Sequence, residues 1–192
     1  TPSDNGFRWI LDPIDGTKSF IHGVPLYTTL VGLLFEGTPV LGVIHAPALK
    51  ETMYAASGQG TWYVRKGSEP RRTRVASCRA LDEALFVTSE VRSFQQIGRR
   101  DVYDRLEETC RLTRSWGDGY GYMMVAGGRA DIMIDPIVNV WDLVAVMPVV
   151  VEAGGRFTDW TSEATIGGGN AVATAGPLHK EVMRIITQTP GK

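Results

Sequence analysis

Only two cysteines, Cys78 and Cys110, and three histidines occur in the 192 residues. Two cysteines cannot build a disulfide framework, and neither has a second Cys or a His at the short spacing of a metal-type cluster. A reducing, cytoplasmic setting is the expectation. His22, His45 and His179 lie far apart, with no two-histidine metal motif and no convincing nucleophile beside them, so they are read as structural or surface residues. Charge of one sign is also missing: 20 Lys and Arg against 21 Asp and Glu give a formal net charge of −1. The whole-chain balance therefore offers no electrostatic case for nucleic acid or an anionic membrane as partner. Apolar runs such as residues 144–151 fall far short of the ~20 residues that cross a bilayer. No transmembrane span is expected. The start, Thr1, is not Met, and no basic segment, apolar stretch and small-residue cleavage site follow it as in a signal peptide. The expectation is a fragment of a longer polypeptide.

What is present is an ordinary globular composition, 43% hydrophobic, in a chain long enough for one domain or two tightly joined halves. Residues 7–11 predict a short strand that delivers Asp12 at its end, followed by a turn punctuated by Pro13 and Gly16. Residues 27–35 and 40–44 are β-rich and predict an antiparallel pair across the four residues Glu36-Gly37-Thr38-Pro39. Residues 52–56 and 61–64 flank Ser57-Gly58-Gln59-Gly60 as a second hairpin, so the first half reads as a strand meander. Arg65, Lys66, Arg71, Arg72, Arg74 and Arg79 form a basic stretch without interleaved aromatics, read as a solvated loop, with an anion-binding patch as the alternative. Residues 101–113 carry Val102, Leu106 and Cys110 at helical spacing. Residues 130–135 predict a strand, 139–153 a buried helix that Pro148 bends or interrupts, and Gly154-Gly155 its end. Short strands at 156–159 and 171–175 and a helix at 178–187, with Pro177 at its first turn, complete the pattern.

The densest chemical signal is Asp12-Pro13-Ile14-Asp15-Gly16-Thr17. Two carboxylates three residues apart in a bend, with the Ile14 carbonyl between them, suit one hard cation such as Mg²⁺, which takes oxygen ligands in a near-octahedral shell. If a helix starts at Gly16 and Thr17, their free backbone N–H groups would accept a phosphate beside that metal. The competing reading is ordinary turn chemistry, in which Asp caps, Pro fixes φ and Gly takes an unusual dihedral. Asn139-Val140-Trp141-Asp142 places another carboxylate at the first turn of an apolar helix, either as a cap or as a third metal ligand. Lys18 and Ser19 follow the first motif and either touch phosphate or stay solvated. Trp116, Tyr120 and Tyr122 either line a pocket or pack in the core.

Taken together, these segments resemble the inositol-monophosphatase-like metal-dependent phosphatases. Trp9-Ile10-Leu11-Asp12-Pro13-Ile14-Asp15-Gly16-Thr17 is similar to that family's first metal motif. Trp141-Asp142-Leu143-Val144-Ala145, with Glu152-Ala153-Gly154-Gly155, is similar to its second. Two long motifs in the same order are far more specific than either alone. The resemblance implies an α/β fold, a layered α/β/α/β/α sandwich here lacking its N-terminal helices, divided into an N-terminal half (1–111) and a C-terminal half (112–192). It implies that Asp12, the Ile14 carbonyl, Asp15 and Asp142 bind Mg²⁺. Ile14, Asp15, Gly16 and Thr17 hold phosphate, and Thr17 helps to orient the attacking water. A homodimer is also implied.

Within the family, Gly117-Asp118 and the segment from Asp135 to Asp142 look most like the histidinol-phosphate phosphatase branch. Asp118 and Asp135 would then pair with the ammonium and imidazole of that substrate, alongside Gly117 and Asp142, whereas an inositol ring presents only neutral hydroxyls. The alternatives are that Asp118 caps a helix at 119–127 and that Asp135 merely closes its strand. The expected reaction is Mg²⁺-dependent hydrolysis of a small phosphate monoester, with inositol-1-phosphate or a range of sugar phosphates as the other substrate reading. One departure stands out. The family's metal-binding glutamate comes from an acidic loop upstream of the first motif, and the first glutamate here is Glu36. That keeps a third reading open, a non-catalytic metal-binding or assembly fragment.

Overall fold

A computed structural model describes residues 4–188. The first half is a meander of six antiparallel strands in sequential order: β1 (Phe7–Asp15), β2 (Thr28–Phe35), β3 (Thr38–Ala46), β4 (Glu51–Ala56), β5 (Thr61–Arg65) and β6 (Arg71–Thr73). The hairpin β2–β3 is tighter than the four-residue connection expected. Glu36 and Gly37 alone close it, at φ 48° and 84°, the left-handed pair that matches the twist of the flanking strands. Pro39 cannot donate to the ladder, and the register slips beside it, with Leu33 opposite Leu41 and Leu34 opposite Pro39. The basic stretch read as a loop contains β6. This edge strand exposes Arg71 and Arg72, whose guanidinium groups stack on Tyr63 and Trp62 at 4.9 and 5.2 Å. Charge on an edge discourages pairing with another chain.

The second sheet runs β10–β11–β9–β7–β8, built from β7 (Leu85–Val87), β8 (Leu112–Arg114), β9 (Ile132–Asp135), β10 (Arg156–Thr158) and β11 (Ala171–Thr174). β7 is parallel to β8 and β9, and the other pairs are antiparallel. Between β7 and β8 the chain forms α2 (Val91–Gln96) and α3 (Arg100–Thr109). The helix predicted at 101–113 therefore stops at Thr109. Cys110 turns extended, and Leu112 pairs with Leu85 in the sheet, a tertiary contact that overrides local helical spacing. β7, at residues 85–87, belongs to the second sheet.

Two helices lie between the sheets: α4 (Asp118–Ala126) and α6 (Val146–Glu152) touch strands of both. Their core joins Leu30, Ile44 and Met53 of the first sheet to Met133 and Ala173 of the second. On the far side of the second sheet, α2, α3 and α7 (His179–Gln188) bury Phe94, Leu106 and Val182 against Phe86, Ile134 and Val172. The described residues thus form β/α/β/α layers of the expected sandwich. The outer face of the first sheet is uncovered, with Trp9 57% and Leu11 59% exposed.

The apolar stretch 139–153 is divided into α5 (Val140–Leu143) and α6 by Val144 and Ala145. Pro148 is the cause, since its missing N–H leaves the Val144 carbonyl without its helical donor. The break rests on the first sheet at a bare cross-strand pair, Gly32 opposite Gly42. A Cβ on Gly42 would lie 1.9 Å from the Ala145 carbonyl oxygen, and one on Gly32 would lie 2.3 Å from Val144 Cγ1. Glycine at both positions lets α5 approach β1 and β2.

Candidate active site

In a regular strand, residues three apart point to opposite faces. Asp12 and Asp15 escape that rule because β1 does not end at Leu11 as expected but continues to Asp15 through a bulge. Asp12 pairs with Leu30 and Asp15 with Thr28, so β1 carries one more residue than β2 over the same span. Pro13, with no N–H to give, sits in the bulge. The extra residue returns both carboxylates to one side. Asp12 Oδ1 accepts from the Ile14 N–H at 3.1 Å, and Asp15 Oδ2 accepts from Thr28 Oγ1 and the Gly119 N–H, each at 2.6 Å. Gly16 then turns left-handed at φ 75°, and α1 (Thr17–Ile21) begins.

Asp142 arrives from α5. Its Oδ2 accepts from the Asn139 N–H at 2.7 Å, one half of a capping box, so the capping reading is present in the geometry. The same side chain also meets the first motif: carboxylate oxygens of Asp12, Asp15 and Asp142 lie within 4.8 Å of one another. Burial, then the charge of Asp12 among other contributions, raises the Asp142 carboxyl. Burial is also the main reason Asp15 is pushed up to about 7, with Asp118 and Asp142 adding to it and the bonds from Thr28 and Gly119 opposing it. Three converging carboxylates, with burial and mutual charge raising Asp15 and Asp142, form a ready seat for a cation. A donor set of oxygens alone suits a hard ion such as Mg²⁺.

The opposite wall comes from the second sheet. Gly117 packs so closely that a Cβ would lie 2.1 Å from Ser89 Cα. Asp118 follows at φ 52°, and α4 begins there without a side-chain cap, so the alternative of Asp118 as a helix cap is not adopted. Its N–H donates to Ser89 Oγ at 2.7 Å, and its Oδ2 lies 2.9 Å from where a Cβ of Gly16 would be. Asp135 is 4% exposed, and both its oxygens are engaged: Oδ1 by the Ser89 N–H at 3.0 Å and Oδ2 by the Tyr122 hydroxyl at 3.1 Å. Burial pushes Asp135 up to about 6. It holds Ser89, and Ser89 holds Asp118, which makes Asp135 a support of the wall.

A cavity of about 510 Å³ collects every residue singled out from the sequence for metal, phosphate or substrate, from Asp12 to Asp142. Lys18, Ser19 and Tyr122 line it as well; Trp116 and Tyr120 do not. The histidines lie elsewhere, His45 on Thr52, His179 between Thr158 and Thr174, and His22 on the Lys18 carbonyl. Ser89, Glu90 and Ser93 also line the cavity and were not foreseen. They follow β7, a three-residue strand too short to show periodicity, and the one available signal was a polar Thr88-Ser89-Glu90 cluster after an apolar run.

The model of the inositol monophosphatase family matches residues 1–189. A histidinol-phosphatase of Mycobacterium tuberculosis is 43% identical over 178 residues, which cover 93% of this chain and 68% of that protein. For a histidinol-phosphatase of Chlorobaculum parvum the figures are 42% over 174 residues, 91% and 65%. A fructose-1,6-bisphosphatase/inositol-1-monophosphatase of Thermotoga maritima is 34% identical, covering 94% and 68%. Among solved structures, an inositol monophosphatase from Anabaena superposes with TM-score 0.88 at 29% identity, over 99% of this chain and 75% of that one. The chain spans about two thirds of the length of the curated relatives it matches.

Proposed function

This chain belongs to the inositol monophosphatase family, a family of phosphoric monoester hydrolases, and from that premise we propose that its cavity serves Mg²⁺-dependent hydrolysis of histidinol phosphate to histidinol and phosphate. The observation that carries the proposal is the convergence of Asp12, Asp15 and Asp142 within 4.8 Å, in a cavity that Gly16, Thr17 and Asp118 also line. Asp12, the Ile14 carbonyl, Asp15 and Asp142 would hold the metal. When bound, Mg²⁺ supplies Lewis-acid chemistry: polarised phosphoryl oxygens, a more acidic attacking water and a stabilised leaving alkoxide. The N–H groups at the start of α1 are free of helical partners and can receive phosphate oxygens. Thr17 orients the water, and no covalent phosphoenzyme is required. Asp118 accepts from the ammonium of the substrate.

The choice of substrate is supported by three relatives described as histidinol-phosphatases, at 43%, 42% and 37% identity, whereas the Thermotoga protein stands at 34%. A second reading, inositol-1-phosphate, is favoured by the close superposition on the Anabaena enzyme. Phosphate release from the two compounds, at one pH and one Mg²⁺ concentration, separates them. Faster turnover of histidinol phosphate is expected. Preference for inositol-1-phosphate moves the assignment to the second reading, and release from neither leaves a non-catalytic metal-binding or assembly role.

A further inference from the structure

The cavity is lined by six carboxylates, Asp12, Asp15, Glu90, Asp118, Asp135 and Asp142, and Lys18 is the one basic side chain among the lining residues. Lys18 does not point at an empty space. Its Nζ donates to Glu90 Oε2 at 2.5 Å, across 72 positions of sequence, joining α1 on one wall to the residue that precedes α2 on the other. Both side chains are open to solvent, 76% and 41% exposed, so the pair sits at the cavity mouth and is not locked by packing. We propose that this Lys18–Glu90 ion pair stands in for the two charges of the substrate and is exchanged when a zwitterionic phosphate monoester binds, making Glu90 a residue that selects for an amine. The inference rests on the phosphatase reading above and deepens it.

The charges explain why exchange is favoured for one kind of substrate. A phosphate dianion seated on the Gly16 and Thr17 amides is one residue from Lys18 and competes with Glu90 for its ammonium. Once Lys18 turns to phosphate, Glu90 is left unpaired next to Asp118, whose own carboxyl is raised first by burial, lowered by the Lys18 charge and raised by the Glu90 charge. A substrate carrying its own ammonium restores the balance by pairing with Glu90 and Asp118 together. A neutral polyol phosphate breaks the same pair and returns nothing to Glu90. A merely structural role predicts little, because an ion pair this open to solvent contributes little to stability.

The test is Glu90→Gln in the intact protein, read as the ratio of kcat/KM for histidinol phosphate to kcat/KM for inositol-1-phosphate. The ratio is expected to fall about 10-fold or more at an unchanged melting temperature, and Glu90→Asp is expected to recover part of it. Inorganic phosphate should also bind more tightly to Glu90→Gln by calorimetry, since Lys18 is no longer held away. An unchanged ratio, or an equal loss on both substrates, overturns the exchange. If the wild type hydrolyses neither compound, the phosphatase reading fails. Calorimetry of inorganic phosphate and histidinol phosphate then decides the ion-pair exchange by itself: a shift in favour of inorganic phosphate in Glu90→Gln supports it, and equal affinities in both proteins overturn it.

Discussion

At Asp15, a single carboxylate is asked to be buried, to face two other carboxylates and to stay ionised for a metal. Thr28 Oγ1 and the Gly119 N–H make this tolerable by donating to the same oxygen at 2.6 Å. Thr28→Val keeps the shape of a fully buried side chain but removes one donor. Supporting bonds of this kind are worth roughly 10- to 100-fold in metal affinity, so a Mg²⁺ activation curve should shift to higher concentration by that order. Gly119 is needed for the other bond, since a Cβ there would lie 2.4 Å from Thr28 Oγ1. His179 illustrates the opposite use of burial. Desolvation first, then the charge of Arg156, holds it below its ordinary 6.5, so in acid the unfolded chain takes up a proton that the folded protein refuses. Stability is then full above about pH 6.5 and falls as pH drops through the lower folded value. Melting temperatures of wild type and His179→Gln, followed from pH 7.5 to about 5, should show the steeper fall in wild type. The acidic cluster was legible at this scale, because Asp-Pro-Ile-Asp-Gly-Thr and Trp-Asp are compact motifs. Ser89 and Glu90 were not, since what brings them to the cavity is the parallel pairing of β7 with β9, which no local pattern announces.

Among the elements, the two that matter most are irregular. The β1 bulge turns Asp12 and Asp15 to one side, and the break between α5 and α6 lets backbone settle on Gly32 and Gly42. The sequence displays both causes, Pro13 and Pro148, yet a proline signals disturbance without saying what the disturbance brings together. Hence the strand expected at 7–11 runs four residues further, to Asp15, and the helix expected at 139–153 has its interruption and, beyond that, a seat on the sheet. The longer strands of the first sheet were readable because runs of β-forming residues are bounded by turn residues such as Glu36-Gly37 and Ser57-Gly58-Gln59-Gly60. β6, β7 and β8 have three residues each, below what period-two alternation can establish. Gly42→Ala tests the seat. The added Cβ would overlap the Ala145 carbonyl oxygen at 1.9 Å, so α5 must lift from the sheet and carry Asp142 with it. A loss of about 1–3 kcal/mol in a denaturant melt, the usual cost of overpacking, should accompany a loss of Mg²⁺-dependent turnover larger than the stability change accounts for. A stable, fully active variant would show that the seat does not position Asp142.

For the molecule as a whole, two sheets with helices between them bring residues 12–17, from the meander, against residues 117–119 and 142, from the second half. Neither half holds the candidate site alone. The near-neutral net charge hides how polarised the cavity is, with its carboxylates on every wall, and composition could not have revealed that. No helix among the described residues is long and apolar enough to cross a membrane. The exposed Trp9 and Leu11 on the outer sheet face lie away from this chemistry. The assignment to be tested is that three carboxylates from two elements, β1 and α5, hold one catalytic metal site. Its most direct measurement is phosphate release from histidinol phosphate as a function of Mg²⁺, in the intact wild type and in Asp142→Asn, beside metal-free thermal melts of both. Asparagine retains an acceptor for the Asn139 cap but not the charge that a metal requires. Turnover is expected to rise and saturate with Mg²⁺ in wild type and to be abolished in Asp142→Asn at a nearly unchanged melting temperature; normal turnover in the variant, or turnover in wild type that is indifferent to Mg²⁺, would overturn the assignment.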